Sequence, residues 1–62
     1  MAAHEIITAL RNAGFSAVAS ADDRRVLVSL NNQIVNTMDV QMVIGFDNPM
    51  GRSGNGVIVT GC

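Results

Sequence analysis

The sequence contains no lysine, tryptophan or tyrosine and only two phenylalanines. Its four basic residues are all arginines, and five carboxylates leave the chain with a net charge of −1. Proteins bind nucleic acids mainly by neutralising phosphates, and they hold single strands by stacking bases on aromatic rings. The composition therefore argues against nucleic-acid binding. It leaves one alternative of that class, a dimer that gathers Arg24, Arg25 and Arg52 on one surface.

A single cysteine and a single histidine exclude two of the usual ways of stabilising a small protein. Cys62 has no partner for an intrachain disulfide, and Cys62 and His4 together cannot supply the four ligands of a structural zinc site. A chain of 62 residues buries only about 60% of the surface that it exposes when unfolded. We therefore expect residues 1–62 to form one small domain that needs a good core, a partner or a second copy of itself.

Sequence features of membrane insertion, secretion and catalysis are also missing. No run approaches the ~20 apolar residues that span a bilayer, and no basic segment precedes an apolar run as it does in a signal peptide. A lone thiol fits a reducing compartment, so we expect a cytoplasmic protein. His4 has no Ser or Cys nucleophile near it in sequence, and the glycine-rich residues 51–56 lack the lysine and the following helix of a phosphate-binding loop. We expect no enzymatic activity, metal, cofactor or small-molecule substrate.

The first half of the chain has the pattern of a helix followed by two strands. Apolar residues with helical spacing predict a helix over residues 4–13, and Gly14 can end it in a left-handed conformation. Alternating apolar and polar residues predict strands over residues 15–20 and 24–30. A turn at Asp22-Asp23 joins them and sets Ala19 opposite Val26, Ala17 opposite Val28 and Phe15 opposite Leu30.

The second half is more ambiguous. Alternating apolar residues predict a strand over residues 34–44, whereas Thr37 followed by Asp39 is typical of a helix start and leaves a helix over residues 38–44 as the alternative. A three-residue turn at positions 31–33 would set Leu30 opposite Ile34 and continue the sheet. Residues 45–56 are predicted to form a flexible glycine-rich loop, and residues 57–60 a closing strand at an edge of the sheet.

These elements predict an α+β fold in which the N-terminal helix packs on a small antiparallel β-meander of three to four strands. The side chains predicted to face the helix are Phe15, Ala17, Ala19, Val26, Val28, Leu30, Ile34, Met38, Val40, Met42 and Ile44. The opposite face should be polar and solvated. Three apolar side chains nevertheless fall in one row across it, namely Val18, Leu27 and Val35, with Val43 further along and Arg25 beside them.

A small domain can rarely leave such an apolar row exposed, so we interpret it as an interface. Secondary contacts are predicted at the hairpin tip, through Asp22, Asp23 and Arg24, and at Arg52 in the loop. The sequence thus predicts a non-catalytic protein-interaction module that docks its sheet face or an edge on a partner or its own copy. The most concrete form is a small inhibitor or accessory protein of the phage or mobile-element type. The alternative is a structural subunit of a larger assembly such as a virion.

Overall fold

The structure, a computed structural model, describes residues 2–61; Cys62 lies outside them. It contains two helices and four strands in the order α1 (Ala3–Asn12), β1 (Ser16–Ala19), β2 (Arg25–Ser29), α2 (Thr37–Ile44), β3 (Met50–Ser53) and β4 (Gly56–Thr60). The strands form one antiparallel sheet in the order β1-β2-β4-β3. The predicted α+β fold with an N-terminal helix is therefore confirmed.

Helix α1 forms where the apolar stripe predicts it. Ile6 and Leu10, one turn apart, are fully buried. The Glu5 carboxylate accepts a hydrogen bond from the Ala2 backbone N–H at 3.2 Å, which satisfies one free donor at the helix start. At the other end, Gly14 has a φ of 96° and lets the Phe15 N–H return to the Leu10 carbonyl at 3.0 Å.

The first hairpin has the predicted register. Ala17 lies opposite Val28 and Ala19 opposite Val26, with β1 and β2 each within one residue of the predicted bounds. The last paired residues are Ser20 and Arg25, because the Ser20 N–H donates to the Arg25 carbonyl at 2.8 Å. The turn between them consists of the four residues 21–24.

The predicted strand over residues 34–44 is wrong, because α2 occupies most of that range. The Asn36 side chain accepts a hydrogen bond from the Met38 backbone N–H at 2.9 Å, which caps the first turn. Asp39 lies in the same turn, where the helix dipole favours a carboxylate. The helix, left as the alternative, is confirmed.

The apolar pattern of this segment fits a helix as well as a strand. The alternating residues Met38, Val40, Met42 and Ile44 form two pairs with a spacing of four, 38/42 and 40/44. Residues four apart lie on the same side of a helix. Helix α2 buries Val40 and Ile44, whereas Met38 and Met42 are exposed. Only one of the two pairs therefore joins the core.

The turn after β2 is one residue shorter than predicted. Leu30 forms an isolated bridge with Gln33, not with Ile34, and Asn32 takes a φ of 53° in the two-residue turn between them. A slip of one residue reverses which side chains point inwards. Accordingly Val35 is fully buried and Ile34 is 71% exposed, the reverse of the prediction.

The predicted loop over residues 45–56 contains strand β3, which forms a tight hairpin with β4. The predicted closing strand is present, but it is not at an edge, because β4 pairs with β2 on one side and β3 on the other. Val57, Ile58 and Val59 are a continuous apolar run, which is typical of a strand in the interior of a sheet.

The core lies between the two helices and the inner face of the sheet. Its buried apolar residues are Ala3, Ile6, Leu10, Ala17, Val26, Val28, Val35, Val40, Ile44, Val57 and Val59, with Phe15 and Leu30 partly buried against them. Four residues predicted to be in the core are exposed instead: Ala19, Ile34, Met38 and Met42.

Candidate protein interface

The outer face of the sheet, turned away from the helices, carries a row of apolar side chains across three strands. Val18 on β1 lies opposite Leu27 on β2, and Leu27 lies opposite Ile58 on β4. Val18 is 53% exposed, Leu27 is 42% exposed, and Ile58 is partly buried. We call these three residues the outer row. Aliphatic side chains directly opposite each other on a sheet are in contact, so the outer row forms one continuous apolar strip.

Polar side chains surround the strip. Side chains two residues apart on a strand point to the same face, and so do residues directly opposite each other on paired strands. By this rule the outer face also carries serines from β1 and β2, Thr60 from β4 and Ser53 from β3. Arg25 is two residues from Leu27 and is the only charged residue that the four described strands contribute to this face. Val18, Leu27, Arg25 and Ile58 line one shallow depression with Ser53. An apolar centre with a polar rim is the usual anatomy of a protein interface.

Two of the residues predicted for this interface lie elsewhere. The prediction that Val35 belongs to it is wrong, because Val35 is fully buried in the core. Val43 is on α2, partly buried against the core, and so is not on the sheet at all. Ile58 takes the place predicted for Val35. The continuous apolar run of Val57, Ile58 and Val59 does not mark which side chain points outwards, and the pairing of β4 with β2 is what places Ile58 beside Leu27.

The hairpin tip is held in a defined shape. The Ser20 hydroxyl donates a hydrogen bond to the Asp22 carboxylate, and the Arg24 backbone N–H donates to the same oxygen at 3.1 Å. The Ser20 hydrogen bond lowers the pKa of the Asp22 carboxyl below its usual range, and the Arg24 N–H adds to that effect. Asp23 adopts a left-handed φ of 59°. These contacts give Asp22 and Asp23 a structural role in the turn, next to Arg25 at the end of the outer face.

Arg52 does not join the other arginines. It lies opposite Val57, whose side chain is in the core, and so projects from the inner side of β3. Its guanidinium donates to the Val35 backbone carbonyl. Arg25 belongs to the outer face and Arg24 to the hairpin tip, so the three arginines proposed for a nucleic-acid surface are not gathered on one face.

The edge strand β1 is partly occupied. The Arg11 guanidinium, at the end of α1, donates to the Ala17 carbonyl at 2.9 and 3.2 Å. A strand that paired with this edge would compete with Arg11 for that acceptor. Arg11 therefore makes the β1 edge less available to a pairing strand than the outer face, which the helices do not cover.

The described residues offer no metal centre and no membrane span. Within residues 2–61, no three His, Cys, Asp or Glu side chains come close enough together to hold an ion. Neither of the helices in this part of the chain has the length and hydrophobicity that crossing a bilayer requires. His4 lines a second shallow depression with Asp23 at the start of α1, and apolar residues make up the rest of its wall.

No protein-family model, no curated protein and no solved structure matches the chain. The interpretation of the outer face therefore depends on its own geometry.

Proposed function

We propose that this protein is a non-catalytic protein-interaction module that docks through the outer face of its sheet. The observation that carries the proposal is the outer row, three aliphatic side chains side by side on the face that the helices do not cover. Isolated apolar residues are common on protein surfaces, but a contiguous strip with a polar rim is characteristic of an interaction site.

The energetics favour a partner on this face. Burying an aliphatic side chain of this size stabilises by about 1.5–3 kcal/mol. Val18 and Leu27 have close to half of their surface in water, so a comparable share of that gain is available to whatever covers them. Leu27 has an outer-row neighbour on each side, which makes it the expected centre of the contact.

The charge on this face indicates what the partner offers in return. Arg25 is the only charged side chain among the outer-face residues of the strands. Arginine is often a dominant contact at protein interfaces because its guanidinium pairs with carboxylates in a fixed geometry. The partner surface should therefore combine apolar side chains with a carboxylate near Arg25.

The most concrete form of this proposal is a small cytoplasmic inhibitor or accessory protein of the phage or mobile-element type. Its support is the exposed outer row, the single cysteine and the lack of a catalytic constellation in the sequence. A structural subunit of a larger assembly, such as a virion, is the second candidate. It is favoured by a further apolar surface on the helical side of the molecule, described below.

Site-specific photo-crosslinking tests the proposal. A photoreactive phenylalanine analogue replaces Leu27 in one variant and Thr8, an exposed position on α1, in a matched control. Both are expressed in the organism that carries the gene. We expect a discrete adduct from position 27 and none from position 8. Adding Val18→Asp, next to the probe on the outer row, should remove the adduct.

The identity of the adduct does not matter for this test, since either a second copy or another protein supports docking through the outer face. The proposal is overturned if the probe at position 27 forms no adduct, if position 8 gives an equal adduct, or if the position-27 adduct survives Val18→Asp in a folded protein.

A further inference from the structure

The exposed large apolar side chains within residues 2–61 fall into two groups. Two of them, Val18 and Leu27, belong to the outer row. The remaining four lie on or beside α2, namely Ile34 (71% exposed), Met38 (52%), Met42 (73%) and Phe46 (64%). We call Met38 and Met42, which share one side of that helix, the α2 surface. No apolar residue of this size is strongly exposed anywhere else in the described chain.

The α2 surface follows from how the helix is packed. Val40 and Ile44 face the core, where α2 contacts α1. Met38 and Met42 are one turn apart on the other side of the helix, and Ile34 and Phe46 precede and follow it. Methionine side chains are flexible and polarisable, which suits a surface that must adapt to a partner.

The two apolar surfaces carry opposite charge. Residues 34–47, which include the α2 surface, contain the exposed carboxylates Asp39 and Asp47 and no basic residue. On the outer face the strands contribute one arginine, Arg25, and no carboxylate, since Arg52 projects from the inner side of β3. The Asp22 carboxylate of the adjoining hairpin tip already accepts hydrogen bonds from the Ser20 hydroxyl and the Arg24 N–H. Each surface therefore offers the charge that the other lacks, beside an apolar patch.

The two surfaces cannot cover each other within one molecule. The helices pack on the inner face of the sheet, so the outward side of α2 and the outer face of the sheet lie on different sides of the molecule. They can meet only between two copies. A two-fold pair of outer faces would instead leave both α2 surfaces exposed.

We infer that the partner of the outer sheet face is the α2 surface of a second copy of this chain. This inference rests on the proposed function, in which the outer face docks a protein. Because the two contacting surfaces differ, the association is head-to-tail, and each added copy presents a fresh surface for the next one. Carboxylates of the α2 segment then lie near Arg25 at the rim of the contact.

Each contact is small. A stable interface buries about 800 Å² on each partner, which is more than one short helix and three sheet side chains provide without their polar surroundings. The assembly is therefore weak and reversible, and its average size rises with concentration. A subunit that adds to both of its neighbours in this way fits the role of a component of a larger assembly.

The test measures mass in solution by sedimentation equilibrium, from micromolar to millimolar concentration. We expect the average mass of the wild-type chain to rise continuously beyond that of a dimer. Leu27→Asp removes the outer row and Met42→Asp removes the α2 surface, so each variant alone should remain monomeric. Asn31→Asp adds the same charge at an exposed turn and should associate like the wild type.

Mixing the two variants gives the sharpest result. Leu27→Asp retains its α2 surface and Met42→Asp retains its outer row, so an equimolar mixture should form a one-to-one pair that grows no further. Circular dichroism confirms that both variants are folded. Should either one unfold, Val18→Asp and Met38→Asp replace them, since both positions are more than half exposed.

Three outcomes overturn the inference and are distinguishable from a failure of the proposed function. A monomeric wild type, together with a position-27 adduct to another protein, ends the second-copy inference and leaves the docking face intact. A dimer that survives Met42→Asp and is lost in Leu27→Asp identifies a two-fold pair of outer faces. Association that survives Leu27→Asp and is lost in Met42→Asp overturns the outer face as the docking site of a second copy.

Discussion

The guanidinium of Arg52 donates a hydrogen bond to the backbone carbonyl of Val35, 17 residues earlier in the chain. The Val35 backbone N–H donates in turn to the Asn55 carbonyl at 2.7 Å. Both backbone groups of Val35 are thereby bound to the β3–β4 hairpin, and its side chain is fully buried. This residue fixes the segment that leads into α2, and so it fixes which side of α2 faces the core.

Replacing Arg52 with alanine should destabilise the protein by about 1–2 kcal/mol, because it leaves the Val35 carbonyl without its charged donor. Urea unfolding followed by circular dichroism measures the change. Arg24→Ala is the control, since Arg24 is an exposed residue of the hairpin tip and its side chain makes no hydrogen bond within residues 2–61. A loss of stability that is equal in the two variants would contradict a specific role for Arg52.

Val35 and Val18, predicted together as members of one apolar row, should respond very differently to truncation. Val35→Ala removes two buried carbons and leaves a cavity, so we expect a loss of about 2 kcal/mol. Val18→Ala removes the same atoms from a side chain that is 53% exposed, and the loss should stay below about 1 kcal/mol. The same unfolding measurement applies, and similar losses at both positions would place Val35 at the surface.

The sequence predicted the first half of the fold well because local signals agree there. The stripe of Ile6 and Leu10 and the glycine after the helix specify α1, and alternation specifies β1 and β2 in register. The outer contact of Val18 with Leu27 follows from that register alone. These features depend only on neighbours in the chain, which a single sequence contains.

The second half was mispredicted because one turn decides it. Two-residue and three-residue turns after Leu30 both use the same asparagines, and they place Val35 on opposite sides of the molecule. The choice is made by contacts that are distant in sequence, namely those of Val35 with Arg52 and Asn55. Local patterning does not contain them, so Ile58 was missed as the true third member of the outer row.

The hairpin tip should contribute a pH-dependent part of the stability. Since the Ser20 hydroxyl lowers the pKa of Asp22 in the folded protein, the ionised carboxylate stabilises the fold at neutral pH. That contribution is present above the unfolded pKa of about 3.9 and is lost as the pH falls through the lower, folded value.

Ser20→Ala should raise the pKa of Asp22 towards its ordinary value, which carboxyl ¹³C chemical shifts followed against pH will measure. Thr8→Ala removes a hydroxyl that bonds within α1, to the His4 carbonyl at 2.9 Å, and should leave Asp22 unchanged. An Asp22 pKa that does not move in Ser20→Ala would mean that another group holds the carboxylate.

Gly56, the first residue of β4, should be the least replaceable glycine in the sheet. A Cβ atom built there would lie 2.6 Å from the Val28 backbone carbonyl oxygen and 3.6 Å from the Leu27 Cδ1 atom. Since the closest atom belongs to the backbone of a central strand, no side-chain rotation relieves the clash, and β2 and β4 must separate locally.

We therefore expect Gly56→Ala to destabilise the protein by more than about 2 kcal/mol, with the strain falling on the strand pair that carries Leu27 and Ile58. Gly51→Ala is the matched control, because a Cβ there meets nothing within 4 Å, and a change from glycine in an ordinary extended conformation is neutral or stabilises by up to about 1 kcal/mol. Urea unfolding compares the two, and amide chemical shifts report where the sheet moves. If Gly56→Ala were as stable as Gly51→Ala, the close approach of β4 to β2 would be absent, and with it the register that sets Ile58 beside Leu27.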